Sequence, residues 1–198
     1  MDSLERLIHA LCCLPGIGPK SAQRMAYYLL RYQRARGLQL ASYLTEAMNS
    51  LSPCARCNNY TEYELCTLCQ DITRDPKVIC VIEHPWDIRA IEQSSAFNGG
   101  YFVLMGKISP IDGLGPDEIG LPMLQKRVIS EGISEVILAL TPSVESNATL
   151  YFIQALFKTH PVKISQLAHG IPSGGTLELL DANTISSALR NRETHNAK

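Results

Sequence analysis

Four cysteines in two closely spaced pairs are the strongest constraint on the fold of this 198-residue chain. Cys54 and Cys57 form one C-x2-C pair, and Cys66 and Cys69 form a second pair after eight intervening residues. Each pair directs two thiolates to one point, and two such pairs complete the tetrahedral sulfur shell that Zn²⁺ prefers. Because no fifth ligand or open position is evident, residues 54–72 are predicted to form a compact ribbon around a structural zinc. A redox dithiol pair or disulfides are the alternatives.

Composition and targeting signals indicate a cytoplasmic globular protein. The chain has seven cysteines, an odd number, and its sequence shows no secretory signal, which argues against a disulfide framework. The apolar runs 78–82 and 136–140 are far shorter than the roughly 20 residues that a membrane span needs. We therefore expect no membrane partner. Cys12, Cys13 and Cys80 lie in apolar runs and are predicted to be small buried hydrophobes.

The formal net charge of −1 conceals an uneven distribution along the chain. A near-neutral charge would ordinarily speak against nucleic-acid binding, because proteins that bind nucleic acids tend to be basic. Residues 1–53, however, carry six basic and three acidic side chains. Residues 54–198 carry twelve basic and sixteen acidic side chains. The N-terminal part is therefore the candidate for binding an anionic partner.

A turn rich in proline and glycine connects two amphipathic helical patterns in the N-terminal module, residues 1–53. Gly16 and Gly18 lack a Cβ, so the backbone can turn tightly and approach a ligand closely. The free amides at the start of the next helix form an anion site at the positive end of its dipole. Lys20 and Arg24, four residues apart on one helical face, add positive charge where a phosphate would lie.

This turn resembles the helix-hairpin-helix element, which binds nucleic-acid backbones without reading bases. The alternative is a plain helical hairpin whose glycines serve only the turn. We expect sequence-independent DNA binding through phosphates, because the alternative does not call for two cations beside the turn. The second and third helices of the module are predicted over about 20–32 and 39–50.

Apolar runs that alternate with helical patterns predict an α/β domain over residues 77–170. Strands are expected at 78–82, 101–105, 136–140 and 162–168, and helices near 86–95, 121–132 and 147–159. Continuously apolar strands separated by helices indicate a mostly parallel sheet covered on both faces. Residues 171–198 complete the chain as a glycine-rich C-terminal segment.

Glu83 follows the first predicted strand, at the carboxyl end where parallel sheets build their sites. The arrangement is similar to the Toprim fold of topoisomerases, primases and some nucleases. There a glutamate and a later Asp-x-Asp hold Mg²⁺, which prefers carboxylate oxygens. Here the Asp-x-Asp positions are Thr141 and Ser143, and Glu83 with Glu145 alone would make a poor metal cage. We therefore expect no catalysis, with a Toprim-type Mg-dependent nuclease or primase-like enzyme as the alternative. Whether Glu83 caps a helix or makes a polar contact stays open.

The order of these modules over nearly the whole chain resembles the RecR family of bacterial recombination mediators. Two further stretches, 109–117 and 167–178, are similar to loops characteristic of that family. The resemblance implies a non-catalytic DNA-binding clamp subunit of recombinational repair. It also implies a ring-shaped homotetramer that encircles DNA. With RecO and RecF, relatives load the recombinase onto gapped single-stranded DNA.

Residues 141–149 depart from the pattern usual in that family. Relatives usually carry a loop resembling Asn-Pro-Thr-Val-Glu-Gly-Glu-Ala-Thr, whereas this chain reads Thr-Pro-Ser-Val-Glu-Ser-Asn-Ala-Thr. Ser146 and Asn147 thus replace glycine and glutamate. A contact with RecO or DNA through this loop is therefore not part of what the resemblance implies for this chain.

Overall fold

The computed structural model describes residues 1–168, 170–172 and 174–192. They divide into two units, Met1–Leu51 and Ser52–Lys198. The α-helices are α1 (Ser3–Leu11), α2 (Pro19–Tyr32), α3 (Arg34–Ser50), α4 (Thr67–Gln70), α5 (Pro85–Ser94), α6 (Leu121–Glu131), α7 (Val144–Leu156) and α8 (Ala182–Arg190). The strands are β1 (Ser52–Pro53), β2 (Tyr60–Thr61), β3 (Asp75–Ile82), β4 (Gly99–Val103), β5 (Glu135–Ala139) and β6 (Lys163–Gln166). A 3-10 helix covers Leu177–Leu179.

Three helices make up the first unit. α1 begins with a capping box, in which the Asp2 carboxylate accepts the Glu5 N–H at 2.8 Å and the Glu5 carboxylate accepts the Asp2 N–H at 3.0 Å. α2 lies where the periodicity predicted it, whereas α3 begins five residues before the predicted start at 39. The early start includes Gly37, whose N–H donates to the Gln33 carbonyl at 2.8 Å. Tertiary context has therefore overridden the low helix propensity of glycine.

The second unit is built on a four-stranded sheet in the order β4-β3-β5-β6, with every neighbouring pair parallel. In the central strand, Val81 lies opposite Phe102 of β4 and Leu138 of β5. Helices α5, α6 and α7 connect the successive strands. The predicted mostly parallel α/β sheet is confirmed.

Both faces of the sheet are buried, which explains why its strands read as uninterrupted apolar runs. Alternate residues of β3 point to opposite faces. Ile79 and Val81 pack in the larger core with residues of α6 and α7, whereas Cys80 and Ile82 pack in a smaller core with Ile88 of α5. Among the helices of the described ranges, none is both long and apolar enough to cross a bilayer.

The three cysteines outside the CxxC pairs differ in environment. Cys80 is buried, and burial raises the pKa of its thiol to about 12. Cys12 is partly buried and Cys13 is exposed. The prediction that all three are buried is wrong for Cys13, because it lies in the turn after α1 and not on a packed face.

Candidate metal centre and nucleic-acid interface

The four cysteine sulfurs of the two CxxC pairs lie within 4.8 Å of one another. Cys54, Cys57 and Cys66 are buried, and Cys69 is partly buried. The first knuckle turns through Asn58, which adopts a left-handed conformation with φ of 62°. The Asn58 N–H donates to the Cys54 carbonyl at 3.0 Å. In the second knuckle, the Cys69 N–H donates to the Cys66 carbonyl at 3.0 Å. The backbone therefore holds two facing pairs of thiols.

The electrostatics of the four thiols favour a bound cation. Hydrogen bonds among the sulfurs, including one between Cys57 and Cys66 at 3.5 Å, lower the pKa of Cys66. The same bond to Cys66 raises the pKa of Cys57 above its usual range. The protein alone thus stabilises one thiolate at the expense of its neighbours. A divalent cation would allow all four to ionise, so this cluster of four largely buried sulfurs fits a structural Zn²⁺.

The cysteine ribbon docks on β4, the edge strand of the sheet. The Val103 N–H donates to the Cys57 carbonyl at 2.9 Å, and the Asn58 side-chain amide donates to the Val103 carbonyl at 2.8 Å. On the adjoining surface, Arg56 makes a bidentate ion pair with Glu131 of α6, at 2.9 and 2.8 Å. The metal centre thereby covers an edge that would otherwise expose unpaired backbone groups.

Arg127 of α6 links the cysteine ribbon to β4. It is 7% exposed and donates to the carbonyls of Tyr101 at 2.7 Å and Arg56 at 3.1 Å. It also pairs with Glu131 at 3.3 Å. Sequence reasoning missed Arg56 and Arg127, because nothing in the local pattern distinguishes them from solvated helix and loop arginines.

We expect Arg127→Met to lower the free energy of unfolding by about 3 kcal/mol, because it leaves the carbonyls of Tyr101 and Arg56 without their charged donor and removes one of the two cations paired with Glu131. The measurement is urea denaturation of the zinc-loaded protein. Lys126→Met is the matched control, since Lys126 is exposed on the same helix and should change stability by less than about 0.5 kcal/mol. Equal effects of the two changes would contradict the role given to Arg127.

The predicted hairpin turn joins α1 to α2. Gly16 has φ of +78°, a conformation that is strained for residues with a Cβ, so the turn itself requires this glycine. Gly18 is different, because its φ of −87° suits any residue and an added Cβ would meet nothing within 4 Å. Within the described residues, neither backbone conformation nor packing calls for glycine at position 18.

Lys20 and Arg24 lie exposed on the first two turns of α2. Gly18 is the N-cap residue, Pro19 is the first helical residue, and no side chain in the described part of the chain caps the helix. The amides of the first turn are therefore free donors at the positive end of the helix dipole. The structure brings together the four residues that the sequence assigned to phosphate binding, on an exposed surface at the start of α2.

Glu83 lies at the carboxyl end of β3 and is 3% exposed. One carboxylate oxygen accepts the Thr141 N–H at 2.7 Å and lies 3.2 Å from the buried Ser146 hydroxyl. The other oxygen lies 3.4 Å from the Lys107 ammonium. Glu83 thus makes a polar contact that holds Thr141 and the first turn of α7, a role that the sequence left open. Ser146, one of the departures from the family pattern, takes part in this contact.

Lys107 places a cation of the chain itself at the edge where Toprim enzymes hold Mg²⁺. Its ammonium also lies 3.4 Å from the hydroxyl of Ser143, the N-cap of α7. The two Asp-x-Asp positions are neutral hydroxyls, and the buried carboxylate already has an ammonium partner. Glu145 is exposed on α7. These residues do not fit a magnesium site.

Of the two loops that carried the family resemblance, the structure describes all of 109–117 but only part of 167–178. In the 109–117 loop, Ser109 and Leu114 exchange two backbone hydrogen bonds of 2.9 Å, which close a tight turn. In the 167–178 loop, His169 and Ser173 lie outside the described residues.

Family models match the chain in four consecutive segments. They describe a RecR helix-hairpin-helix at residues 4–48, a RecR zinc finger domain of the four-cysteine type at 51–71, a Toprim domain at 77–168, and a RecR C-terminal segment at 170–193. With the clustered sulfurs, the match over 51–71 confirms the structural zinc. The predicted succession of hairpin, ribbon and Toprim-like sheet is confirmed as well.

Curated relatives match over nearly the full length. Proteins named "Recombination protein RecR" from Legionella pneumophila strains Corby and Lens are 65% identical over 196 residues, which is 99% of this chain and 100% of each relative. The protein of the same name from strain Philadelphia 1 is 64% identical, covering 99% of this chain and 98% of the relative. The chain therefore belongs to the RecR family of recombination proteins.

Proposed function

We propose that the chain is a non-catalytic DNA-binding clamp subunit of recombinational repair. The observation that carries this proposal is the exposed start of α2, which no side chain in the described residues caps. Its free amides, the exposed Lys20 and Arg24 and the bare backbone at Gly18 form a surface for phosphates. None of these groups reads a base, so binding should be independent of sequence. We assign this role to the module of residues 1–53.

Family membership supports a proposal for the assembly and partners of the clamp. A homotetrameric ring would present four hairpin surfaces to one DNA molecule, and RecO and RecF would be its partners in loading the recombinase on gapped single-stranded DNA. Acting on the bacterial chromosome, such a ring would work in the cytoplasm. The excess of acidic over basic side chains in residues 54–198 supports this arrangement. Its negative charge would repel DNA and confine it to the hairpins.

The absence of catalysis is part of the same proposal, and it is supported by the surroundings of Glu83. In a Toprim enzyme, carboxylates hold the cation that stabilises the transferring phosphoryl group. Here Lys107 neutralises the buried carboxylate, and the backbone amide of Thr141 occupies its other oxygen. The carboxylate is committed to holding a loop.

We expect Glu83→Gln to reduce stability and to leave DNA uncleaved, as it is by the unmodified protein. Loss of the contacts to Lys107, Thr141 and Ser146 should lower the free energy of unfolding by about 1–3 kcal/mol. Glu145 is exposed in the first turn of α7, so Glu145→Gln is the control. It should lower the free energy of unfolding by less than about 0.5 kcal/mol. Urea denaturation measures both. Nicking of plasmid DNA that requires Mg²⁺ and disappears in Glu83→Gln would instead support the enzyme.

Light scattering across a salt series, with and without DNA, tests the assembly. The clamp predicts a particle of four chains of 21.9 kDa each and a DNA complex that dissociates as salt rises. Retention on a closed circular plasmid, followed by release when the plasmid is linearised, would show encirclement. A monomer that binds no DNA at low salt would overturn the proposal.

A further inference from the structure

A continuous exposed surface extends from the hairpin along α2. At 100° per residue, Lys20, Arg24, Tyr27 and Arg31 fall within about 60° of one another around the helix. We call these four residues the α2 stripe. The buried residues Ala22 and Ala26 lie on the opposite side. Since the helix rises 1.5 Å per residue, the stripe is about 16 Å long.

Exposed aromatic rings accompany the cations of the stripe. Tyr27 is 52% exposed, and its neighbour Tyr28 is 54% exposed. Tyr28 packs against Tyr32 with ring centroids 5.8 Å apart, and the Arg31 guanidinium lies 5.1 Å from the Tyr32 ring centroid. The side chains line an open depression with Arg24. Sequence reasoning placed Arg31 on the positive surface of the module, with a solvated side chain as the alternative, and it missed the tyrosines.

The charge of α2 points to an anionic occupant. The helix carries three basic side chains and no acidic one. Along one strand of B-form DNA the phosphates are about 3.4 Å apart along the axis, so a stripe of this length passes several of them. A cationic surface that tracks a backbone, with aromatic rings beside it, is the arrangement by which proteins hold single strands.

We infer that the α2 stripe and the adjoining Tyr28 bind single-stranded DNA, with Lys20, Arg24 and Arg31 on the phosphates and Tyr27 and Tyr28 stacked on unpaired bases. This inference rests on the proposed DNA-binding function and adds a preference for single strands. A duplex keeps its bases stacked inside the helix, so it would engage the cations alone. The tyrosines would therefore contribute to binding of single strands and not of duplexes.

A second copy of the chain fits the stripe less well. A symmetric contact places the same patch on both subunits, so the cations of one stripe would face those of the other without an acidic partner on α2. Apolar side chains suited to a contact between chains are exposed elsewhere in the first unit, on α3. They include Leu38, Leu44 and Met48.

The test compares the full-length protein with the double variant Tyr27→Leu/Tyr28→Leu. The probes are a fluorescein-labelled 30-nucleotide oligo-dT strand and a random-sequence duplex of 30 base pairs, titrated by fluorescence anisotropy. Stacking contributes about 1–3 kcal/mol per base, so the double variant should bind the single strand at least about tenfold more weakly. Binding of the duplex should change by less than about twofold, because no stacking on the duplex is expected.

Two control variants separate ring stacking from packing and charge. Tyr27→Phe/Tyr28→Phe keeps both rings and should bind the single strand as the unmodified protein does. Tyr43→Leu removes an exposed ring from α3, away from the stripe, and should also bind normally. Circular dichroism checks that every variant is folded. A 2-aminopurine base in the strand should be quenched on binding by the unmodified protein and not by the leucine variant.

The outcomes distinguish this inference from the proposed function. If the unmodified protein binds neither probe, the proposed DNA-binding function fails. If it binds both and the leucine variant binds the single strand equally well, the stacking inference fails while the function stands. If the leucine variant changes the mass seen in light scattering, the stripe is an interface between copies and the inference is overturned.

Discussion

Replacing Cys66 with serine is expected to abolish zinc binding and to unfold the ribbon of residues 54–72. Zinc contributes on the order of 10 kcal/mol to the folding of comparable four-ligand motifs, far more than such a short segment can gain from packing. Cys66 is the thiol whose pKa the hydrogen bonds of the other cysteines lower. The metal content should fall from one zinc per chain to none, as measured by a colorimetric chelator assay on the denatured protein.

The loss should extend beyond the ribbon, because its contacts cover the edge of the sheet. The bonds between Val103 and the first knuckle and the pair of Arg56 with Glu131 would be lost together. Hydrogen exchange should therefore accelerate in both 54–72 and β4. Cys13→Ser is the matched control, since Cys13 is an exposed thiol outside the cluster, and it should leave zinc content and exchange unchanged. Full zinc occupancy in Cys66→Ser would contradict a four-sulfur site.

Changing both Lys20 and Arg24 to alanine is expected to remove most DNA binding without unfolding the chain. Both side chains are exposed, so neither supports a packed core. If each of four hairpins neutralises two phosphates, the double variant loses roughly eight contacts per assembled ring, and affinity at 50 mM salt should fall at least about a hundredfold. Fluorescence anisotropy with a random-sequence oligonucleotide measures this loss.

A variant of equal charge change provides the control for this prediction. Arg89→Ala with Lys158→Ala also removes two exposed cations per chain, but from the second unit. It should alter affinity by no more than about threefold, through the general field of the protein. An equal loss in both double variants would show that net charge, and not the hairpin surface, governs binding.

The parts of the structure that could be predicted are those set by neighbouring residues. The CxxC spacing determines the knuckles directly, because two thiols three positions apart converge on one point. The hairpin turn could be predicted from Gly16, which adopts φ of +78°, and from Pro19, which begins α2. The buried strands followed from their apolar runs, since both faces of a parallel sheet are covered.

The contacts that could not be predicted join residues far apart in the sequence. Glu83 meets the Thr141 amide across 58 positions, and Arg56 meets Glu131 across 75. Local patterns carry no signal for such partners, since charged residues are most often solvated. The sequence therefore identified Glu83 as a noteworthy carboxylate and gave no indication that Lys107 neutralises it.

Gly18 shows a different limit of sequence reasoning. The sequence assigned it the same role as Gly16, whereas the structure separates the two. Gly16 serves the turn, and Gly18 has ordinary extended backbone with open space where a Cβ would lie. The distinction requires a backbone angle and a neighbour distance, which spacing does not contain. It strengthens the case that the turn presents bare backbone to another molecule.

The salt dependence of DNA binding tests the central claim most directly. For the unmodified protein, a plot of the logarithm of the association constant against the logarithm of salt concentration should be linear with a slope of roughly −5 to −7. The Lys20→Ala/Arg24→Ala variant should give a clearly flatter slope over the same range. A wild-type slope near zero, or an equal slope in the two proteins, would contradict phosphate binding by the hairpin surface.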